Sequence, residues 1–236
     1  MASNENLVLG VDEAGRGPII GPMYVCGVVI DEKTANKLKL MGVTDSKQLN
    51  RDRREKLFKA IVSLAKHVLA VEVPPQLIDS INLNVLERDT IAFIVARAVA
   101  VWKEKLVAVY VDAVGTSSKL VTTIRKTGFL GPVVVEPKAD SRYVVVAAAS
   151  IVAKVLRDRA IEELRKLYGV EGSGYPTDQR TLDWIRKAYA SSPFNPPSFI
   201  RRTWRILRQI APNWYVEKKT SKKSTSQRSL LDYLSS

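Results

Sequence analysis

Two adjacent acidic residues, Asp12 and Glu13, follow an apolar run at 7–9 that has the character of a β-strand. Acids at the end of a buried strand repel each other and lose hydration unless a cation neutralises them. Because successive strand residues point to opposite faces, these carboxylates can share one ion only if the strand ends at Glu13. Gly15 and Gly17 permit the sharp turn that such an ending requires. A solvated surface pair is the alternative; the flanking apolar residues and glycines favour a functional site.

The composition favours one globular domain and excludes several kinds of active site. The chain has 236 residues, 46% of them apolar, which is enough for one sizeable core and includes no stretch suited to span a bilayer. Cys26 and His67 are its only cysteine and histidine, which excludes a disulfide framework, a Cys/His zinc site and a histidine triad within one chain. Catalysis must then use carboxylates, lysines, tyrosines or hydroxyl groups. With no signal peptide visible at the N-terminus, we expect a cytoplasmic location in the reducing cytosol.

The chain is strongly basic, with a net charge of +13 and a sequence pI near 9.8. Such a charge favours an anionic polymer as the partner, and nucleic acid above all. A basic surface that serves solubility, or a thermophile's exterior rich in Lys, Arg and Glu, is the alternative interpretation.

Hydrophobic periodicity predicts alternating strands and helices after an initial hairpin. The predicted strands are at 7–13, 23–30, 68–73, 106–112 and 133–135. The predicted helices are at 33–40, 51–66, 84–102, 117–127, 142–167, 178–189 and 198–210. This order predicts an α/β fold in which helices cover the faces of one sheet.

Four acids stand at or just after the ends of predicted strands: Asp12, Glu13, Asp112 and Asp140. In open α/β sheets, the strand ends are where sites collect. Four carboxylates at one edge require cations, and a ligand set made only of oxygens suits Mg²⁺ or Mn²⁺. Two such ions about 4 Å apart can activate water and stabilise the leaving oxygen of a phosphodiester. Taken singly, Asp112 and Asp140 could instead cap a turn or a helix.

Motifs along nearly the whole chain resemble ribonuclease HII, the type 2 ribonuclease H, in its archaeal form. They are Asp-Glu-Ala-Gly-Arg-Gly at 12–17, Asp-Ser-Lys at 45–47, Tyr-Val-Asp at 110–112, Lys-Ala-Asp at 138–140, the alanine-rich run at 147–154 and Gly-Ser-Gly-Tyr at 172–175. The resemblance implies a ribonuclease H-like mixed five-stranded sheet, flanked by helices, with a helical C-terminal extension. Where many relatives have a proline, this chain has Val144, which leaves the start of the following helix open.

The resemblance also implies roles for individual residues. Asp12, Glu13, Asp112 and Asp140 match the family's catalytic, metal-binding acids. The backbone of Gly15, Arg16 and Gly17 matches the segment that contacts the 2′-hydroxyl and phosphates beside the cut, and Tyr175 matches the tyrosine that packs on the adjacent sugar. This is physically reasonable, because the 2′-hydroxyl is what distinguishes RNA from DNA at one nucleotide. Without the family, Tyr175 would be read as a half-buried loop aromatic.

Several basic residues have two interpretations each. Lys47 and Lys154 either hold phosphates near the site or lie on the solvated surface. On the predicted last helix, duplex nucleic acid could lie along the arginines, or they could form a solvated face with Trp204 docked in the core. These arginines are Arg201, Arg202, Arg205 and Arg208.

The last twenty residues differ in composition from the rest of the chain. A basic segment with few apolar residues predicts a flexible tether, and the apolar stretch at 227–234 follows it. That stretch resembles the box that binds the sliding clamp, proliferating cell nuclear antigen (PCNA). In this pattern Gln227 enters a polar pocket, while Leu230, Tyr233 and Leu234 form one turn that fills a hydrophobic pocket. A second aromatic is usual at the last position, so Leu234 should weaken docking.

We therefore expect a catalytic domain at 1–192, a helical C-terminal segment at 193–215 and a flexible basic tail at 216–236. The hypothesis is a monomeric, metal-dependent endoribonuclease that cuts RNA paired to DNA, including single ribonucleotides within DNA, on their 5′ side. The cut would leave a 3′-hydroxyl and a 5′-phosphate, as in ribonucleotide removal and primer processing during replication and repair. The alternatives are a structure-selective DNA nuclease of the same fold and a non-catalytic hybrid-binding module tethered to the clamp.

Overall fold

The structure is a computed structural model of the chain in which residues 6–43, 49–112 and 117–218 are described. Its centre is a five-stranded sheet of β1 (Leu7–Ala14), β2 (Met23–Asp31), β3 (His67–Val73), β4 (Leu106–Asp112) and β5 (Val133–Glu136). The strands lie in the order β3-β2-β1-β4-β5. β2 is antiparallel to both neighbours, whereas β1, β4 and β5 run parallel. The predicted hairpin and mixed sheet are confirmed.

Eight α-helices are present in the described part of the chain. They are α1 (Glu32–Leu40), α2 (Arg51–Leu64), α3 (Pro75–Ser80), α4 (Leu83–Trp102), α5 (Ser117–Arg125), α6 (Val144–Tyr168), α7 (Gln179–Ser191) and α8 (Leu207–Ile210). The side chains of Asn50 and Asp178 cap α2 and α7, because they accept from the backbone N–H groups of Arg53 and Arg180. Over the described residues, no helix has both the length and the apolar character needed to cross a membrane.

The helices cover both faces of the sheet, as the sequence predicts. On one face, α4 and α5 place Ile94 and Ile124 in a buried cluster with Leu9 and Val109 of the sheet. On the other face, α1, α2 and α6 form a second cluster with the opposite side of β2. The central strand β1 is buried on both sides, which explains its nearly continuous apolar sequence.

The helix α6 lies unusually close to β1. A Cβ atom on Gly10 would overlap the carbonyl of Val145 and lie 2.7 Å from the nitrogen of Val146. The absence of a side chain at Gly10 thus lets the first turn of α6 rest directly on the strand that carries Asp12. The helix begins at Val144, two residues later than predicted, after a short 3₁₀ turn at Ala139–Ser141.

The prediction of one continuous helix over 198–210 is wrong. Turns occupy most of this segment, and only α8 and a 3₁₀ turn at Pro212–Trp214 are helical. Tertiary hydrogen bonds replace the helical ladder: Asp79 accepts from the backbone N–H groups of Arg202 and Thr203, and the N–H of Arg201 donates to the carbonyl of Ile19. Ile200 also forms a β-bridge with Ile20.

Because the segment is not one helix, its arginines do not share a helix face. Arg201 is fully buried and Arg202 donates to the carbonyl of Trp214, whereas Arg205 and Arg208 are exposed. Trp204 packs partly buried against the core, as the second interpretation expects. A third buried cluster joins the segment to the loop after β1. The domain boundary proposed after residue 192 stays a prediction.

Candidate active site

Parallel pairing of β1 and β4 brings two of the predicted acids together. Val11 lies opposite Val111 in the register, so Asp12 and Asp112 extend from neighbouring strands at the same edge of the sheet. Asp140 joins them from the 3₁₀ turn that follows β5. Carboxylate oxygens of these three residues lie within 4.8 Å of one another. The convergence expected from the strand ends is therefore present for these three acids.

Glu13 is placed differently from its neighbour. β1 continues to Ala14, so the strand does not end at Glu13 as sharing one ion would require. Its carboxylate is outside the three-acid cluster, although it lines the same cavity and is close enough to Asp112 to interact electrostatically. The role of Glu13 as a metal ligand remains a prediction.

The electrostatics of the cluster disfavour charge when no cation is present. Burial raises the pKa of Asp12 well above its usual range, and the nearby charge of Glu13 adds to the effect. Burial also raises the pKa of Glu13, with a further contribution from Asp112, and that of Asp112, with a further contribution from Asp140. A bound cation would remove this penalty, because it favours the ionised form of every carboxylate around it.

Asp140 offers a direct indication that the site suits a metal ion. Its Oδ1 atom is buried and has no hydrogen-bond partner among the described residues. Buried polar atoms nearly always have a partner, so an orphaned oxygen facing two other carboxylates needs a ligand. Three oxygen donors without nitrogen or sulfur suit a hard divalent cation. The residues present therefore fit a divalent metal ion.

A short relay connects this cluster to a lysine on α6. The side chain of Ser150 hydrogen-bonds to Asp12, and the Nζ of Lys154 donates to the Oγ of Ser150 over 2.6 Å. The positive charge of Lys154 also favours the ionised form of Asp12. Lys154 lines the cavity, as the sequence predicts for a residue near the phosphates, and its contact with substrate remains a prediction.

The turn after β1 forms one wall of the site. Gly15 has a φ of +88°, and a Cβ atom there would lie 2.8 Å from the carbonyl oxygen of Pro22, so this position requires glycine. The side chain of Arg16 pairs with the buried Glu87 and with Asn84 of α4. Its guanidinium is therefore engaged with the protein, and its charge also favours the ionised form of the neighbouring Glu13.

Tyr175 lines the same cavity beside the turn. Its ring carbon Cε1 would be 3.3 Å from a Cβ atom on Gly17, and the guanidinium of Arg157 stacks 5.1 Å from the ring centroid. The residue is 38% exposed. The sequence interpretation of a partly buried loop aromatic and that of a sugar-contacting tyrosine are both compatible with this placement.

The cavity between these elements has a volume of about 400 Å³. It is lined by Asp12, Glu13, Ala14, Gly15, Arg16, Gly17, Arg54, Asp112, Asp140, Lys154, Arg157, Asp158 and Tyr175. The sequence analysis singled out nine of these residues and missed Ala14, Arg54, Arg157 and Asp158 as lining residues. Asp158 pairs with Arg54 over 3.0 Å and with Arg157 over 3.2 Å, which places two cations beside the acids.

Two groups of predicted functional residues fall outside the described part of the chain. Lys47 belongs to the segment 44–48, and the proposed clamp-binding residues Gln227, Leu230, Tyr233 and Leu234 belong to the segment 219–236.

Comparisons with known proteins identify the family of the chain. The ribonuclease HII family model matches residues 9–207. Ribonuclease HII of Hyperthermus butylicus is 52% identical over 228 residues, which cover 96% of this chain and 94% of that relative.

Two solved structures share the fold. The ribonuclease H2 from Pyrococcus horikoshii OT3 has a TM-score of 0.80 and 39% identity, covering 88% of this chain and 98% of that one. The structure of the PCNA:RNase HII complex from Archaeoglobus fulgidus matches with a TM-score of 0.74 and 35% identity, covering 85% of this chain and 94% of that one. The chain therefore belongs to the ribonuclease HII family and is a metal-dependent endonuclease of the ribonuclease H class.

Proposed function

We propose that this protein hydrolyses RNA paired to DNA and cuts at single ribonucleotides embedded in duplex DNA. The cut falls on the 5′ side of the ribonucleotide and leaves a 3′-hydroxyl and a 5′-phosphate. The observation that carries the proposal is the cluster of Asp12, Asp112 and Asp140 beside the turn at 15–17 and Tyr175. It places a site for divalent cations next to groups suited to recognise a sugar.

The three clustered acids and Glu13 would hold two Mg²⁺ or Mn²⁺ ions. Divalent ions supply an activated water and stabilise the charge that develops on the leaving oxygen of a phosphodiester. The chain has no histidine near the cavity, so the acids themselves must organise the proton transfer from the attacking water. Lys154 and Ser150 favour the ionised form of Asp12 and so oppose the effect of burial, and Lys154 adds positive charge on the side where a phosphate would lie.

Selection of RNA over DNA is assigned to the turn and the tyrosine. The N–H groups of a glycine-containing turn can approach a ribose or phosphate oxygen closely, because no Cβ atom stands at Gly15 or Gly17. The ring of Tyr175 lies against Gly17 and lines the same cavity, where a sugar held by the turn could pack on it. A deoxyribose in this position lacks the 2′-hydroxyl and leaves those groups without a partner, which disfavours its transition state.

The test is cleavage of a DNA duplex that contains one ribonucleotide, in the presence of Mg²⁺ and separately of Mn²⁺. We expect one cut on the 5′ side of the ribonucleotide, and a product that a polymerase extends, since it carries a 3′-hydroxyl. The matched all-DNA duplex should remain intact, and Asp140→Asn should abolish cleavage. Equal cutting of the all-DNA duplex would instead support the structure-selective DNA nuclease. Unimpaired function of Asp112→Asn would support the non-catalytic binding module.

We also propose that the tail binds a sliding clamp. The relative from Archaeoglobus fulgidus was solved as a complex with PCNA. In this chain the residues proposed for the contact are Gln227, Leu230, Tyr233 and Leu234, at the end of a basic segment long enough to separate them from the catalytic part. The full chain should bind an archaeal clamp on a biosensor, and Tyr233→Ala should abolish binding without changing cleavage of a short duplex. Full binding by Tyr233→Ala would contradict this part of the proposal.

A further inference from the structure

Arg201 is an arginine without any exposed surface, and its guanidinium bonds to the turn at the active site. Its Nη2 donates to the carbonyl of Gly15 over 2.6 Å, its Nη1 to the carbonyl of Arg16 over 3.1 Å and its Nε to the carbonyl of Gly21 over 2.8 Å. Arg201 itself does not line the cavity, whereas Gly15, Arg16 and Gly17 do. The turn therefore lies between the guanidinium and the cavity.

These bonds fix the direction of two backbone N–H groups. In a planar trans peptide, the C=O of one residue and the N–H of the next point in opposite directions. With the carbonyls of Gly15 and Arg16 directed at Arg201, the N–H groups of Arg16 and Gly17 are directed away from it. The next peptide offers none, because Pro18 has no N–H.

Neither of these two N–H groups donates to an acceptor within the described ranges of the chain. Backbone donors at such a place are normally paired with protein, water or ligand. Two backbone donors on the wall of a cavity that also holds three carboxylates fit an oxygen acceptor of the substrate. The ribose 2′-hydroxyl and a phosphate oxygen both have this chemistry.

A second side chain from the same segment, that of Trp204, also hydrogen-bonds to the turn. The Nε1 of Trp204 donates to the carbonyl of Gly17 over 3.0 Å, and the guanidinium of Arg201 stacks 5.2 Å from the Trp204 ring centroid. Each of the three carbonyls in the turn 15–17 thus accepts from Arg201 or Trp204. The non-helical path of 198–206 is what brings both side chains under the turn.

We propose that Arg201, assisted by Trp204, is a positioning residue that orients the N–H groups of Arg16 and Gly17 toward the ribonucleotide. The inference rests on the proposed function for the identity of the acceptor. It assigns a role in substrate discrimination to a residue that never contacts the substrate.

Three variants test the proposal. Arg201→Lys keeps the positive charge but has one nitrogen in place of Nε, Nη1 and Nη2, so it cannot occupy the three donor positions that serve the carbonyls of Gly21, Arg16 and Gly15. Trp204→Phe keeps an aromatic side chain but loses the indole N–H that bonds to Gly17, together with part of the ring volume, so it remains informative if Arg201→Lys fails to fold. Arg202→Lys is the matched control, since Arg202 lies next in the chain and bonds to the carbonyl of Trp214, away from the cavity.

Three readouts separate positioning from general stability. With the single-ribonucleotide duplex, kcat should fall about tenfold or more in Arg201→Lys and about threefold in Trp204→Phe, while Arg202→Lys keeps the wild-type value. The rise in Tm caused by Mg²⁺ should be the same in all four proteins, because the acids do not depend on Arg201. In ¹⁵N spectra, the amide signals of Arg16 and Gly17 should move in the first two variants only. Wild-type kcat and unmoved amides in the folded Arg201→Lys and Trp204→Phe variants would overturn the proposal, as would an equal loss of kcat in Arg202→Lys.

Failure of the proposed function is distinguishable from failure of this inference. If the wild-type protein does not cut the ribonucleotide duplex, the proposed function fails, and the amide spectra alone decide the role of Arg201. Displaced Arg16 and Gly17 amides would then still support positioning of the turn, and unmoved amides would reject it.

Discussion

The guanidinium of Arg157 stacks on the ring of Tyr175 at 5.1 Å from its centroid, and it also donates to the carbonyl of Ser173, two residues before the tyrosine. The arginine is held in turn by Asp158, its neighbour on α6. Tyr175 sits on a loop, where side chains are mobile unless they are packed. α6 therefore carries both the lysine beside the acids and the arginine that places the tyrosine.

Arg157→Met should reduce kcat/KM for the single-ribonucleotide duplex by about tenfold, which corresponds to about 1.4 kcal/mol. The variant keeps most of the side-chain volume but loses the stacking cation and the bond to Ser173. Arg165→Met is the control, because Arg165 is on the same helix and bonds to the carbonyl of Gly172 over 3.0 Å without stacking on Tyr175 in this arrangement. Steady-state cleavage rates give kcat/KM for the wild type and for both variants. Equal losses in the two variants would indicate general loosening of the loop and would reject placement of the ring.

Asp12→Asn should stabilise the metal-free protein while abolishing cleavage. Because burial raises the pKa of Asp12 in the folded state, the unfolded chain ionises first as the pH rises, and stability is lost from the ordinary aspartate pKa up to the raised one. An asparagine at position 12 has no charge to bury, so it avoids this loss of folding stability. At neutral pH in EDTA, we expect Tm to rise by roughly 2–4 °C, the shift that about 1 kcal/mol produces in a chain of this size.

The advantage of Asp12→Asn should disappear below the ordinary aspartate pKa and should reverse with saturating Mg²⁺, which stabilises the wild type by binding to its folded form. Asp158→Asn is the matched control from the same cavity. Asp158 is paired with Arg54 and Arg157, so its replacement should lower Tm in EDTA. Thermal melts at several pH values measure all of these effects. A Tm for Asp12→Asn below that of the wild type in EDTA at neutral pH would contradict the electrostatic account.

The sequence was sufficient to predict the acid cluster because strand ends are a local signal. Apolar runs that stop at an acid located Asp12 and Asp112, and parallel pairing then placed them side by side. The role of Arg201 had no such signal. Its three acceptors lie 180 to 186 positions away in the chain, and the arginine spacing around it imitates an amphipathic helix. Ser150 had a weak signal, as the one hydroxyl in an alanine-rich run four residues before Lys154.

Asp178 should contribute stability that depends on acid pH. Its carboxylate accepts from the backbone N–H groups of Ser173 and Arg180 over 2.6 and 3.1 Å, and the bonds to Ser173 hold its pKa below the usual value. A lowered pKa in the folded state means that the contribution is present above the ordinary aspartate pKa and is lost as the pH falls through the lowered one.

Asp178→Asn carries no charge and has one acceptor oxygen in place of the two that accept from Ser173 and Arg180, so the urea midpoint of the wild type should exceed that of the variant at pH 6–8. The difference should shrink in acid, below about pH 4. Asp183→Asn is the control, since Asp183 is on the exposed side of α7 and pairs only with side chains within that helix in this arrangement. A difference for Asp178→Asn that is unchanged between pH 7 and pH 3 would exclude the charge as its cause.

Gly10→Ala should destabilise the protein although the backbone at Gly10 is not in the left-handed region. One added methyl group would meet the backbone of Val145 and Val146, which cannot move without displacing α6 from β1. Overpacking of this kind costs about 1–3 kcal/mol, and backbone offers less relief than a flexible side chain.

Gly128→Ala is the informative control: its φ is +87°, but nothing lies within 4 Å of the added atom. It should cost only about 1 kcal/mol, the strain of a left-handed alanine. If urea unfolding showed that Gly128→Ala lowers stability more than Gly10→Ala does, the close contact between α6 and β1 would not be the reason for a glycine at position 10. Because Ser150 and Lys154 lie on α6, the folded fraction of Gly10→Ala should also show a lower kcat, whereas folded Gly128→Ala should cleave at the wild-type rate.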